Sequence, residues 1–299
     1  MLLTVIALIS GAHWGIETMK RTRVIIVSDI HFCHEEYCNY STEARMDHFI
    51  NSIVAENKAD PIDALILLGD YSLDFWEWSI KGCYIKNGTS YTRAFYENYI
   101  KPLKKALPNA KFSMIAGNHE QYDEKTWSII TEGHSRNEAL VLGDVLFLML
   151  DTFAANLAPT EHSDGTYTGA DLEYVYDMLK KHSGKKAILC SHYFDPSRDS
   201  AEFCALMQDP RIIAAVCGHN HRWDINKAQE YGEKPILYDG QFSYTGADGE
   251  GPMWGYREIV IEDNLLTSRY ITPKITKPYG RDETVTYPRA YYERIEIKI

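Results

Sequence analysis

Short apolar runs rich in β-branched residues recur along the chain, and polar segments separate them. Such runs predict strands that are buried on both faces. Three of the polar segments carry apolar residues at helical spacing and predict helices over 42–56, 91–107 and 171–182. Because buried strands alternate with helices, the pattern indicates an α/β fold. The predicted strands are 24–27, 64–68, 111–116, 140–142, 145–150, 186–190, 212–216, 235–238, 256–261 and 265–271.

The ends of the chain differ from this regular middle part. Residues 23–271 are predicted to form one domain. Residues 1–22 are interpreted as an N-terminal extension, and Met19 is an alternative start because Lys20 and Arg21 lead straight into the first strand. Residues 272–299 are interpreted as a tail, in which the alternating pattern of 294–299 predicts an added edge strand.

Composition and charge exclude several classes of function. The formal net charge of the 299 residues is -11, which argues against binding to duplex nucleic acid. No apolar stretch reaches the length of a membrane span. The run Leu2 to Ile9 resembles the core of a signal peptide but lacks a basic segment before it. Six scattered cysteines favour free thiols, so we expect a cytoplasmic protein.

Residues that commonly bind metal ions follow five of the predicted strands. Ligands of open α/β sheets bind outside the carboxyl ends of the strands, so these side chains are expected to meet. Each one alone is also explained as a turn aspartate or a surface histidine, but five strand ends together favour a metal site. The number of oxygen and nitrogen donors suffices for two ions. The residues are Asp29 and His31, Asp70, Asn118 and His119, His192, and His219 and His221.

The segment Gly218-His219-Asn220-His221 carries two histidines at positions i and i+2. In an extended segment such residues point the same way, so both imidazoles are expected to face one point in space. Neutral imidazole is the commonest metal ligand of proteins. The carboxylate of Asp70 is the natural candidate to bridge two ions.

The order of these motifs resembles the signature of the calcineurin-like metallophosphoesterase superfamily. The resemblance implies a four-layer α/β/β/α sandwich with two mixed β-sheets and a dinuclear site. It also implies that His119 is a general acid or charge stabiliser rather than a ligand. One metal ion would take Asp29, His31, Asp70 and His221, and the other would take Asp70, Asn118, His192 and His219.

One position departs from the pattern of many members of this family. They place an aspartate three residues after the bridging one, where it orients the histidine acid. Here Leu73 holds that position and Asp74 follows it. Either the loop is shifted by one residue and Asp74 takes this catalytic role, or His119 lacks that partner. The shifted loop is the preferred interpretation.

The resemblance implies a hydrolase that cleaves small phosphoesters by in-line attack of a hydroxide bridging two divalent or trivalent ions. The mixed nitrogen and oxygen donors suit Mn, Fe or Zn. Tyr71-Ser72 departs from the Ser/Thr protein phosphatases, and His31 departs from the purple acid phosphatases. The chain most resembles small bacterial phosphodiesterases. The alternatives are a phosphomonoesterase, a single-strand nuclease or a non-catalytic metal-binding relative, and the sequence names no oligomeric state.

Overall fold

The computed structural model describes residues 21–32, 42–72, 91–154, 165–243, 254–272 and 291–299. Leu73 and Asp74 lie outside the described residues. The role of Asp74 therefore stays a prediction. The strands are β1 (Thr22–Val27), β2 (Ala64–Leu67), β3 (Lys111–Met114), β4 (Glu138–Leu142), β5 (Val145–Leu150), β6 (Lys186–Ser191), β7 (Ile212–Cys217), β8 (Ile225–Ala228), β9 (Lys234–Tyr238), β10 (Tyr256–Glu262), β11 (Leu265–Ile271) and β12 (Tyr291–Lys298).

Helices connect many of these strands. A π-helical turn over Tyr96–Ile100 joins α2 to α3, and a 3-10 turn over Gln229–Tyr231 lies between β8 and β9. Within the described ranges, none of the helices is both long and apolar enough to cross a membrane. The α-helices are α1 (Thr42–Ala59), α2 (Tyr91–Phe95), α3 (Lys101–Ala106), α4 (Glu124–Ile130), α5 (Leu172–Lys181) and α6 (Ala201–Met207).

The strands form two mixed six-stranded sheets. The first sheet has the order β12-β11-β10-β1-β2-β3, and the second has the order β4-β5-β6-β7-β9-β8. In the first sheet β1, β2 and β3 run parallel, with Val24 opposite Ala64 and Ala64 opposite Lys111. In the second sheet β5, β6, β7 and β9 run parallel. The parallel strands at the centre of each sheet therefore end at the same edge.

Alternation along the strands builds three apolar clusters and four layers. In β1, Val24 and Ile26 pack between the two sheets, whereas Ile25 and Val27 pack against Phe49 of α1 and its neighbours. A third cluster lies between the second sheet and helices α5 and α6. Side chains of successive strand residues point to opposite faces, which places helices outside both sheets. The predicted four-layer α/β/β/α sandwich is confirmed.

Most predicted elements occur within a few residues of their expected bounds. Helices α4 and α6 and strand β8 are additional to the prediction. Phe153 pairs with Tyr167 in an isolated antiparallel bridge. The strand expected over 294–299 corresponds to the longer β12, Tyr291–Lys298, at the edge of the first sheet.

Candidate metal centre

The eight candidate residues meet at the carboxyl ends of the parallel strands. Asp29 and His31 follow β1, Asp70 follows β2, and Asn118 and His119 follow β3. The second sheet contributes His192 after β6, and His219 and His221 after β7. Six of these side chains are buried, namely Asp29, His31, Asp70, Asn118, His119 and His192. The two histidines after β7 are half-buried. Both sheets therefore supply donors to one place.

The donors form a continuous set with Asp70 in its middle. Three groups each bring ligand atoms within 4.8 Å of one another. The first group lies on the side of Asp29, and the other two both contain Asp70, so Asp70 lies between His31 and His119 on one side and His192 and His219 on the other. The groups are Asp29, His31 and His221, then His31, Asp70 and His119, and then Asp70, His192 and His219.

Short distances connect the groups. Oδ1 of Asp29 lies 3.2 Å from Nε2 of His221 and 3.6 Å from Nε2 of His31. Oδ2 of Asp70 lies 3.1 Å from Nε2 of His192 and 3.6 Å from Nε2 of His119. Apart from Nε2 of His119, which the family resemblance assigns to the substrate, these atoms are the ones that a metal ion between them would contact.

Asn118 belongs to the second side of the centre. Its Oδ1 lies 2.9 Å from Nε2 of His192 and 2.9 Å from Nδ1 of His219. The amide oxygen therefore faces the same space as the two imidazole nitrogens. Asn118 thus lies with the residues that the family resemblance assigns to the second ion.

Left-handed backbone, rather than extended backbone, aims several of these side chains. The φ angles of Asp29, His31, Asp70, His219 and His221 lie between 49° and 63°. Residues other than glycine rarely adopt this region, and each such residue costs about 1–3 kcal/mol. His219 and His221 belong to different ligand groups. Contrary to the expectation for an extended segment, the two imidazoles therefore do not face one point.

His192, which follows β6, has a fixed orientation. Its Nδ1 lies 2.8 Å from the carbonyl oxygen of Leu68, which places the Nδ1 hydrogen there and leaves Nε2 facing Asp70 and Asn118. Burial lowers the pKa of His192, but the carboxylate of Asp70 outweighs burial and raises it to about 10. The site therefore attracts positive charge at Nε2 of His192.

The two acids are held in the charged form. Burial raises the pKa of Asp29, but His221 and His31 outweigh burial and keep it well below its usual range. Asp70 behaves likewise, because His192 and His119 outweigh burial and lower its pKa. Two buried carboxylates among imidazoles form a negative site that suits cations.

Burial also lowers the pKa of His119 to about 4, although the carboxylate of Asp70 opposes that shift. The imidazole is therefore neutral near pH 7. Its backbone N–H donates to Oδ1 of Asp70 over 3.1 Å, which fixes the side chain beside the shared carboxylate.

Glu120 supports the loops that carry Asp70 and Asn118. Its two carboxylate oxygens accept four backbone hydrogen bonds, at 2.8–3.1 Å. Burial and the carboxylate of Asp70 raise the pKa of Glu120 to about 8, and the N–H groups of Gly117 and Ser72 oppose that shift. Sequence reasoning gave Glu120 no role. The donors are the N–H groups of Asp70, Tyr71, Ser72 and Gly117.

Arg45 supports the loop after β1. This fully buried residue of α1 donates from Nη1 to the carbonyl oxygens of Ile30 and Phe242, and from Nη2 to that of His31. It thereby holds the left-handed segment around His31. Sequence reasoning missed Arg45, since a single arginine on a predicted helix gives no signal of burial.

The chemistry of the donor set fits metal ions. Oδ1 of Asp29 is buried and makes no hydrogen bond within the described residues, yet it faces two imidazoles. Carboxylate, amide and imidazole donors together suit first-row transition metals such as Mn, Fe and Zn. Asp29, His31 and His221 would hold one ion, Asn118, His192 and His219 would hold a second, and Asp70 would contact both.

Comparison with known proteins agrees with this geometry. The model of the family described as "Calcineurin-like phosphoesterase" matches residues 22–223, which is more than half of the chain. The match includes all eight residues of the candidate centre. No curated protein sequence matches the chain.

Solved structures of low sequence identity share the fold. GAP50, the anchor in the inner membrane complex of Plasmodium, is 10% identical with a TM-score of 0.56, covering 93% of this chain and 89% of that one. Purple acid phosphatase PPD1 from yellow lupin is 12% identical with a TM-score of 0.53, covering 94% of this chain. The chain spans only 54% of the lupin protein.

Proposed function

Because the chain belongs to the calcineurin-like phosphoesterase family, we propose that it is a metal-dependent hydrolase of small phosphodiesters. The convergence of eight candidate residues from two sheets on a buried, acidic site supports this proposal. Two bound ions, Mn, Fe or Zn, would activate the attacking water and offset the charge of the phosphoryl oxygens.

The side chains of the candidate centre have two proposed roles, which are binding of the ions and contact with the substrate. Asp70 and the other proposed ligands would hold the ions, namely Asp29, His31, Asn118, His192, His219 and His221. His119 is proposed to act on the substrate, since Nε2 lies 3.6 Å from Asp70 Oδ2 and the imidazole is neutral. From Nε2–H the neutral imidazole would donate a hydrogen bond to the leaving oxygen and offset the negative charge that develops there.

The charge near the site favours a diester over a monoester. Arg222 directly follows the candidate ligand His221, but its guanidinium pairs with Asp224, with Nε 2.8 Å from Oδ1. This pairing reduces the positive charge available to the second negative charge of a monoester. A diester carries one negative charge and needs less compensation.

The first test compares two substrates on the Mn²⁺-loaded protein. Bis-p-nitrophenyl phosphate is expected to be hydrolysed faster than p-nitrophenyl phosphate. Asn118→Ala and His219→Ala are expected to abolish both activities, because each removes a proposed ligand. His182→Ala, which changes a histidine at the end of α5, serves as the matched control and keeps full activity.

The outcomes separate the alternatives. Faster hydrolysis of the monoester would indicate that the site belongs to a phosphomonoesterase rather than to a phosphodiesterase. Cleavage of single-stranded oligonucleotides that weakens steeply with salt would indicate a nuclease. Two bound ions with no hydrolysis of any ester would indicate a non-catalytic metal-binding protein.

The role of His119 has its own test. His119→Ala should lower kcat about 10²- to 10⁴-fold on a diester with an alkoxide leaving group. It should lower kcat much less on a p-nitrophenyl diester, because p-nitrophenolate delocalises its charge and leaves without that hydrogen bond. Equal losses on both substrates, or loss of bound metal in the variant, would contradict a hydrogen-bond donor to the leaving oxygen and indicate a ligand.

A further inference from the structure

A buried acid lies behind the candidate metal centre, on the side away from the ligand atoms. Asp239 directly follows β9 and is fully buried. Its Oδ1 lies 2.8 Å from Oγ of Ser28, and the same Oγ contacts Oδ2 of Asp29. Ser28 therefore stands between two carboxyl groups, of which only that of Asp29 faces the proposed metal ion.

A count of hydrogens shows that this arrangement is one proton short when both acids are charged. The hydroxyl of Ser28 has one hydrogen, so it can donate to only one of its two carboxyl neighbours. The remaining contact would then place two oxygens without a hydrogen between them at 2.8 Å. One additional proton, on one of the two acids, turns the three groups into a continuous chain of hydrogen bonds.

The surroundings decide which acid carries that proton. Oδ2 of Asp29 also accepts the backbone N–H of His219 over 2.8 Å, and its Oδ1 faces the imidazoles of His221 and His31. These contacts favour a charged Asp29. By contrast, Oδ2 of Asp239 makes no hydrogen bond within the described residues.

The charged groups around Asp239 support the same assignment. Burial raises the pKa of Asp239 to about 7, and the carboxylate of Asp29 adds to that shift. Ser28, His192 and Arg257 oppose it. The guanidinium of Arg257 donates from Nε to the carbonyl oxygen of Tyr238.

We propose that Asp239 is a positioning residue that stays protonated, donates its hydrogen to Ser28 Oγ, and through Ser28 fixes the carboxylate of Asp29 toward the metal centre. Ser28 then donates to Oδ2 of Asp29, and Oδ1 remains directed at the proposed ion. This inference deepens the proposed function and rests on its metal centre, but it does not depend on the substrate.

Three variants test the proposal by their affinity for Mn²⁺, measured by titration calorimetry. Asp239→Asn should bind Mn²⁺ almost as wild type does, because the amide NH₂ replaces the acid O–H as donor to Ser28. Asp239→Ala and Ser28→Ala should bind Mn²⁺ about 10- to 100-fold more weakly, as is typical when a group that orients a ligand is removed. Asp177→Ala, a change of an exposed acid on α5, is the matched control and should bind normally.

Infrared spectra of the metal-free protein at pH 6 provide a direct second readout. Wild type should show a carbonyl band of a protonated carboxylic acid that Asp239→Asn lacks. Thermal unfolding of each metal-free variant checks that the fold is kept. If Asp239→Ala does not fold, then Asp239→Asn, Ser28→Ala and the spectra decide.

Two results would overturn the proposal. One is an Asp239→Asn protein that binds Mn²⁺ as weakly as Asp239→Ala, since that would require a charged carboxylate. The other is a wild-type spectrum whose acid band is the same as that of Asp239→Asn, since other buried acids such as Glu120 also contribute to this region. If wild type binds Mn²⁺ but hydrolyses no ester, the proposed function fails, and the binding and spectral results still judge Asp239.

Discussion

At the scale of single residues, the candidate centre combines strained backbone with dense backbone support. Asp29 and Asp70 both adopt left-handed φ angles of 53°. The backbone N–H of Asp29 donates to the carbonyl of Gly69, and that of His31 donates to the carbonyl of Asp70. These bonds connect the loops after β1 and β2. Each loop therefore stabilises the strained backbone of the other.

Glu120 is the residue whose loss should disturb these loops most. Glu120→Ala would leave four buried N–H groups without their acceptor, and we expect the free energy of unfolding in urea to fall by at least about 2 kcal/mol. At pH 9, above the pKa of Glu120, Glu120→Gln should be nearly as damaging, because its NH₂ group would face N–H donors. Binding of Mn²⁺ should weaken in both variants.

The control for Glu120 is Glu173→Ala on the exposed side of α5, which should change stability by less than about 0.5 kcal/mol. A Glu120→Gln protein as stable as wild type would argue that Glu120 is protonated and donates a hydrogen bond.

His48 predicts a pH dependence of stability away from the metal centre. Burial lowers the pKa of His48 to about 4, and its Nε2 makes no hydrogen bond within the described residues. The unfolded chain, with a pKa of about 6.5, binds more protons than the folded protein between these values. Stability therefore falls as the pH drops from about 6.5 to 4.

His48→Leu should remove this contribution. The imidazole packs against Phe242 and Trp254, with ring centroids 6.3 and 5.7 Å away, so an apolar side chain suits the site. Between pH 7 and pH 5 the variant should lose about 1–2 kcal/mol less unfolding free energy than wild type. Urea unfolding at both pH values measures this difference, and parallel losses in the two proteins would show that His48 is accessible to protons when folded.

At the scale of elements, the junction between β7 and the histidines that follow it depends on Gly218, which has no side chain. A Cβ on Gly218 would lie 1.9 Å from Oγ of Ser28 and 2.5 Å from Oδ2 of Asp29. The loop after β7 therefore packs directly onto the loop after β1, and the two sheets meet there without space for a methyl group.

Gly218→Ala should push Asp29 out of place and weaken Mn²⁺ binding by at least about tenfold. Gly184→Ala is the matched control, because a Cβ there has nothing within 4 Å. Binding of Mn²⁺ by both proteins, measured under the same conditions, tests the junction. Equal affinity in the two variants would mean that the loops separate at little cost.

The same element scale separates what sequence could predict from what it could not. The strands that end at the centre were predictable, because each is a continuous apolar run followed by a polar residue. Helix α6 was missed because its two turns offer only Phe203, Leu206 and Met207 as buried apolar positions. Strand β8 was missed because its four residues, Ile225–Ala228, include only two apolar ones at its ends.

Some features of the site leave little or no trace in the sequence. The left-handed angles that separate His219 from His221 follow from packing between loops, which no local pattern encodes. Asp239 did offer a signal, since it follows an apolar strand as Asp29 and Asp70 do. It was overlooked because the side chains expected at the centre already sufficed for two ions.

At the scale of the whole molecule, the candidate centre joins the two sheets. Asp29, Asp70 and Asn118 come from the first sheet, and His192 and His219 come from the second. Several imidazole contacts already cross this junction, among them those from His192 to Asp70 and Asn118, from His219 to Asn118 and from His221 to Asp29. Bound ions would therefore link the layers of the sandwich as well as serve chemistry.

Metal removal should consequently lower the thermal stability of the entire fold. An ion present at 100 times its Kd stabilises a folded protein by about 2.7 kcal/mol, and each kcal/mol raises Tm by roughly 2–4 °C in a domain of this size class. Chelation should thus lower Tm by at least about 5 °C, and added Mn²⁺ should restore it. His192→Ala should respond to Mn²⁺ far less than His182→Ala, because only His192 reaches across to Asp70. If Mn²⁺ raised the Tm of both variants equally, the ion would bind without linking the sheets, and the proposed ligand role of His192 would be wrong.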